Sequence, residues 1–166
     1  MTEALWAALR DLPPELTTFL IATLPVSELR GAIPVGIGAG GLSWPVAYIA
    51  AVLGNFLPVP FLLLGLEPVS RWLRRWPIWE RFFTWLFERT RRRGVMVERY
   101  EALGLMLFVS IPLPITGAWT GCAAAFVFGI RHRLAFPAVL AGILLSGTVV
   151  TLATMGVIGG ISLFTA

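Results

Sequence analysis

Apolar runs along this chain come in two lengths, and the difference predicts its architecture. Leu16 to Val26 is an apolar run of 11 residues. At about 1.5 Å per helical residue it reaches roughly halfway through a hydrocarbon core of about 30 Å. It leads into "LPVSELRGAIP" (24–34), with two prolines, a glycine and two charges, and then a short glycine-rich run from Val35 to Leu42. Two half-length helices joined by a polar turn predict a re-entrant hairpin, a backbone form tolerated at membrane depth only inside protein or beside water. Trp44 to Leu66 is long enough to span, and Asn55, Pro58 and Pro60 predict a kink near its middle.

The second half follows the same order. A short apolar run (102–111) leads into "IPLPITGAWTG" (111–121), then "CAAAFVFGI" (122–130) and "RHR" (131–133), and a final span from about Leu134 to Ile161. Pro25 corresponds to Pro112, Gly31-Ala32 to Gly117-Ala118, Pro45 to Pro137, and Gly54-Asn55 to Ser146-Gly147. The expected fold is an all-α integral membrane protein: an inverted repeat of re-entrant helical hairpin plus transmembrane helix, with an amphipathic cytoplasmic arm between the repeats. A single membrane domain would comprise an interfacial helix (1–15, ended by Pro13-Pro14), repeat 1 (16–66), the arm (67–101) and repeat 2 (102–166).

Composition places the chain in lipid. Hydrophobic residues make up 57%, charged residues 13%, and mean hydropathy is +0.83, against about 25% charged in ordinary globular domains. The net charge of +4 does not point to nucleic acid, because all 13 basic residues are arginine and nine lie between Arg71 and Arg99, in the arm. There they interleave with Trp72, Trp76, Trp79 and Trp85, as on a helix lying at headgroup level. Arg71, Arg74, Arg75, Arg91, Arg92 and Arg93 are the expected contacts to anionic lipid. The positive-inside rule puts the arm and 131–133 in the cytoplasm of a multi-pass protein of the inner or plasma membrane, with both termini outside. The N-terminus lacks a basic n-region, so no cleaved signal peptide is expected.

Enzyme chemistry finds no footing. One cysteine, Cys122, and one histidine, His132, exclude an internal disulfide and argue against a His/Cys metal site. No cofactor is expected: "GIGAGG" (36–41) has neither the preceding strand nor the following acid that a dinucleotide loop needs. Cys122 reads as core and His132 as a solvated loop residue.

The charges inside the first hairpin are the sharpest signal. Glu28 and Arg30 occupy a region where a charge costs about 2.5–3.5 kcal/mol on insertion scales and commonly marks an ion or substrate path. Desolvation favours the neutral form of a carboxyl, making Glu28 a candidate proton carrier. Arg30 keeps its charge and suits a phosphate or carboxylate. An alternative is a Glu28–Arg30 pair that only holds the tip together. Pro25, Gly31 and Pro34 would shape this tip; Pro112, Pro114, Gly117 and Gly121 would shape the second. The second offers Thr116 and Thr120 as hydrogen-bonding groups and Trp119 as an apolar wall, or else simply packs closely through its small residues. Asn55, in mid-span, either contacts substrate or bonds a hairpin backbone group.

"ELRGAIPVGI", "GNFLPVP" and "IPLPITGAWTG" resemble the signature segments of the family named putative small multidrug export proteins, and more distantly the DedA/VTT (SNARE-associated) membrane proteins. The resemblance implies paired inverted hairpins and transport, and DedA relatives are associated with proton-dependent movement of lipids, including a phosphorylated polyprenyl carrier. It places the first-hairpin acid on Glu28 and its basic neighbour on Arg30. DedA relatives carry arginines in the second hairpin, whereas this chain has none between Ala102 and Ile130. The expected function is a secondary transporter, proton-coupled, for an amphipathic or lipid-phosphate-like anion. The alternatives are a non-transporting, lipid-organising scaffold and an exporter of small cationic drugs. Membrane lipids are the expected partners, along with a second copy of the chain, because two spans and two hairpins are few for a sealed pathway.

Overall fold

The structure, a computed structural model, describes residues 12–73, 95–112 and 117–165. Every regular element among them is an α-helix: α1 (Pro14–Thr23), α2 (Glu28–Gly38), α3 (Trp44–Phe56), α4 (Pro58–Leu73), α5 (Val95–Ser110), α6 (Ala118–Phe128) and α7 (His132–Thr165). Prolines open several of them. Pro14 and Pro45 sit in the first turns of α1 and α3, and Pro58 begins α4, positions where a missing N–H removes no helical bond within that helix.

Among the described residues two stretches are long and apolar enough to cross a membrane: Trp44–Leu66, counted through Leu57, and His132–Ile158. The first has the bounds expected from the sequence; the second starts two residues before Leu134. At the expected kink the helical ladder is interrupted at Leu57, which itself keeps helical angles, φ −51° and ψ −48°. Pro58 cannot donate to the Gly54 carbonyl, nor Pro60 to the Phe56 carbonyl, so two alternate rungs of the helical ladder are missing.

The first hairpin's turn is much shorter than its sequence suggests. Only Leu24–Ser27 separate α1 from α2. Pro25 lies in this turn, whereas Gly31 and Pro34, expected at the tip, lie inside α2. Pro34 deletes a single rung, and the helix continues because its flanks are held in the core: Ala32 and Ile33 are fully buried and Gly36 is buried too. The same correction applies to the second hairpin. Pro112 falls in the connection and Gly117 is the N-cap of α6, but Trp119, Thr120 and Gly121 belong to the helix itself. Pro114 and Thr116 lie outside the described residues. So do residues 1–11 of the interfacial stretch, and Arg74, Arg75, Arg91, Arg92 and Arg93 of the arm. At its edges the arm is helical, since α4 extends through Arg71 and α5 begins at Val95.

Packing divides the chain into two compact units: Met1–Leu57 with Ile143–Ala166, and Pro58–Gly142. Each unit thus holds one hairpin, the first part of the span that follows it, and the latter part of the other span. In the first unit α1 packs on α2 and α3, and α2 on α3; in the second α6 packs on α4 and α5.

Glycine makes these approaches close. A Cβ on Gly54 would strike the Phe19 carbonyl oxygen of α1, and one on Gly142 would lie 2.8 Å from the Met106 carbonyl oxygen of α5. Likewise a Cβ on Gly36 would lie 2.6 Å from the Thr18 hydroxyl, while one on Gly121 would meet the Val109 side chain. In both units, then, a span and the hairpin's second helix are pressed onto the hairpin's first helix through glycine. Within the first unit, Gly147 of α7 also sits beneath the Tyr48 ring and Val52, and the Tyr48 hydroxyl donates to the Leu144 carbonyl at 3.0 Å.

The outward faces are apolar. Ile49, Leu53 and Leu57 are exposed on one side of the first unit, and Leu145, Val149 and Leu152 along α7, surfaces that water would penalise and lipid would not.

Gly54→Ala is expected to cost about 2 kcal/mol, because a backbone carbonyl must move to admit the methyl group. Gly65→Ala, where the new methyl group would meet nothing within 4 Å, should be neutral or slightly stabilising. Thermal unfolding of the two variants in detergent measures the difference.

Candidate functional site

The turn between α1 and α2 does something a helical hairpin rarely does. Its last connection into α2 is made by Glu28, whose φ of +45° is the only positive value at a non-glycine position among the described residues. A side chain in the left-handed region costs about 1–2 kcal/mol, and such strain persists only where the surroundings over-determine it. Two hydrogen bonds close the turn: the Glu28 amide donates to the Leu24 carbonyl and the Gly31 amide to the Ser27 carbonyl, both at 3.0 Å. Glu28 is itself buried, at 6% exposure, beside Leu29 at 2%. It is also the acidic residue of α2's first turn, where the helix dipole favours negative charge.

Arg30 stays half-exposed, and its guanidinium reaches back to donate to the Val26 carbonyl at 3.2 Å. That carbonyl belongs to the turn, so the arginine braces the same bend that Glu28 strains. Val26 is 81% exposed, leaving an apolar knuckle on the outside of the turn.

The turn is joined to the broken span. Thr23, the last residue of α1, shares its one hydroxyl proton between two carbonyls, Phe19 at 3.0 Å and Gly54 at 3.1 Å. The Gly54 carbonyl is the one that Pro58 deprives of its helical donor, and Thr23 supplies the replacement. Sequence reasoning passed over Thr23. The signal was present in a threonine ending an apolar helix and a proline four residues beyond a glycine, but nothing in one dimension pairs them.

Asn55 follows directly. It is 2% exposed, and its side-chain oxygen Oδ1 is fully buried with no hydrogen-bond partner among the described residues. The expected bond from the span to the hairpin backbone is therefore absent on Asn55; the contact runs the other way, from the Thr23 side chain to the Gly54 backbone. Glu28, Leu24, Thr23, Gly54 and Asn55 are thus linked through two hydrogen bonds and two pairs of chain neighbours within one unit. Ser146 and Thr151 are buried in the same unit, with the Thr151 hydroxyl donating to Gly147 at 2.8 Å.

In the second unit Trp119 is half-buried and Thr120 exposed, the latter donating to the Gly117 carbonyl at 3.3 Å. Cys122 is fully buried, as core. A cavity of about 220 Å³ opens beside the end of α6, walled by Leu63, Ala125, Phe126 and Ile130 and edged by Arg131 and His132. His132 is exposed, and it is the first residue of α7 rather than part of a loop. Among the described residues no group of three His, Cys, Asp or Glu side chains is arranged to hold a metal.

Residues 28–149 match the family described as "Putative small multi-drug export protein". The chain belongs to that family. The matched region begins at Glu28 itself and takes in the span break, the second hairpin and most of the second span. No curated protein and no solved structure matches the chain. With an export family and two helices of membrane-crossing length and apolarity, this is a membrane protein.

Because Glu28 sits at a backbone angle that glycine adopts freely, Glu28→Gly should stabilise this family member by about 1 kcal/mol in thermal unfolding. A loss of stability instead would show that the carboxylate holds the turn closed and that the strain is structural.

Proposed function

We propose that the protein is a secondary transporter that couples proton movement to export of an amphipathic substrate, with Glu28 as the proton-carrying group. The observation that carries this reading is a carboxylate 6% exposed at a strained turn, in a chain belonging to an export family. A buried carboxyl is costly to keep without use, and backbone strain gathers where a segment must change state. The tie through Thr23 to the Gly54 carbonyl supplies a route by which a change at Glu28 would reach the broken span.

The repeated hairpin-plus-span order and the glycine contact in each unit support an inverted repeat, the arrangement on which alternating access rests. In this reading the hairpins are re-entrant. The arm and residues 131–133 face the cytoplasm of the cell membrane, both termini lie outside, and two copies together seal the pathway. Arg30 favours an anionic, lipid-phosphate-like substrate, for which Asn55, Thr116, Trp119 and Thr120 are the remaining contacts. The family description favours a second reading, export of cationic drugs against protons, in which Glu28 alternately holds the drug and the proton.

In proteoliposomes containing a pH-sensitive dye, an anionic polyprenyl phosphate should provoke a proton flux through the wild-type protein. Glu28→Gln should reduce that flux at least tenfold while expression and unfolding temperature stay the same. Flux with a cationic dye alone would select the drug-export reading. Undiminished flux in Glu28→Gln would remove Glu28 from the mechanism.

A further inference from the structure

The two helices of the second hairpin press together in one place and part in another. A Cβ on Gly121 of α6 would strike the Val109 side chain of α5, so the two are in tight contact there. Toward the start of α5 and the end of α6 they instead enclose a cavity of about 340 Å³. Pockets that hold small organic ligands begin at about 300 Å³. Both helices belong to the second unit, so the cavity lies within one compact body. Its walls are Leu105 and Phe108 from α5, Ala124 and Phe128 from α6, and Ile130 just beyond. Leu105 and Ile130 are buried, whereas Phe108 and Phe128 keep 37% and 46% of their surface exposed, leaving aromatic area for a ligand to cover. Among the described residues that line the cavity, Glu101 alone carries charge, and it is half-buried. Gly104 lines it too, and a Cβ there would meet nothing within 4 Å. Unlike Gly121 and Gly142, Gly104 lets no neighbouring helix close in; its missing side chain adds room to the cavity.

We propose that this cavity binds a lipophilic organic cation, its apolar groups against the two phenylalanines and its charge toward Glu101. The lining discriminates against the alternatives. A plain acyl chain would fill the walls and gain nothing from the carboxylate. An amphipathic anion would be repelled by it. A compact ammonium ion would be attracted, but it must shed strongly held water and has nothing to set against the walls. A cation whose charge is wrapped in aromatic or alkyl groups leaves water at low cost and covers the apolar walls. Both the carboxylate and the aromatic faces attract it. Glu28 belongs to the first unit, and this site in the second rests on neither transport reading.

The test is equilibrium dialysis of the purified, full-length protein in uncharged detergent against two radiolabelled ions, tetraphenylphosphonium and tetraphenylborate, each corrected for empty micelles. The ions match in size and shape and differ in the sign of their charge. Wild-type protein should bind the phosphonium and take up the borate about tenfold or more less tightly. Glu101→Gln should weaken phosphonium binding by about tenfold or more and narrow the gap between the two ions, because only the charge has gone. Gly104→Leu, which fills the cavity with a good helix former, should weaken binding of both. Unfolding temperatures in the same detergent show that each variant is folded. No phosphonium binding by the wild type would overturn the proposal. Equal binding of the two ions, or unchanged phosphonium affinity in folded Glu101→Gln, would overturn it as well. None of these results bears on Glu28, whose proton flux is read separately.

Discussion

One missing hydrogen bond organises the first half of this molecule. Pro58 has no N–H to give the Gly54 carbonyl, and in an apolar surround that carbonyl must find another donor or pay for its burial. Thr23 provides it, at 3.1 Å. For the hydroxyl to arrive, α1 must lie directly against α3, and it can do so only because Gly54 presents no side chain to the Phe19 carbonyl. Proline, glycine and threonine therefore act as one device. The proline opens the ladder, the glycine lets the neighbouring helix close in, and the threonine repairs the opening from outside.

Several other features follow from that contact. With α1 anchored at its last residue, the turn that follows is confined to Leu24–Ser27. So short a turn leaves little choice of backbone, and the cost appears at Glu28 as a φ of +45°. The strained residue and the mended carbonyl are two ends of one constraint. Glu28 and the Gly54 carbonyl are joined through the Leu24–Ser27 turn and Thr23 within one unit. The second unit shows a comparable glycine contact, Gly142 against the Met106 carbonyl. There, however, the acid Glu101 of the hairpin is half-buried, and Arg131 and His132 edge the cavity beside the end of α6. The units share a way of packing and differ in where they carry charge.

Much of the architecture was legible in one dimension. Run length separates helices that cross from helices that do not, because hydrocarbon thickness is a fixed ruler. That reading identified Trp44–Leu66 and the final helix as the spans, and the prolines marked the interrupted ladder at Leu57. It also singled out Glu28, since a charge within an apolar stretch is conspicuous whatever the fold. The sequence also carried enough family-specific wording to place the chain among the export proteins that residues 28–149 match. It misjudged the hairpin tips. "LPVSELRGAIP" and "IPLPITGAWTG" look like long turns because proline and glycine ordinarily break helices in water. In this interior a helix keeps going past Pro34, since its flanking residues are buried and a single lost rung is cheaper than unpairing the rest.

What the chain determined by itself is therefore whatever depends on local covalent facts and on its solvent: which segments are apolar for long enough, which N–H groups do not exist, where a charge is out of place. What only the tertiary structure decided is how those local facts are answered. That Thr23 serves Gly54, that Asn55 keeps an unserved oxygen while its neighbour is satisfied, and that Glu28 takes a left-handed backbone are outcomes of three helices brought within contact. Hydrogen bonds are short and directional. A sequence can announce that a donor is missing, but only packing can say which residue, 31 positions away along the chain, will replace it.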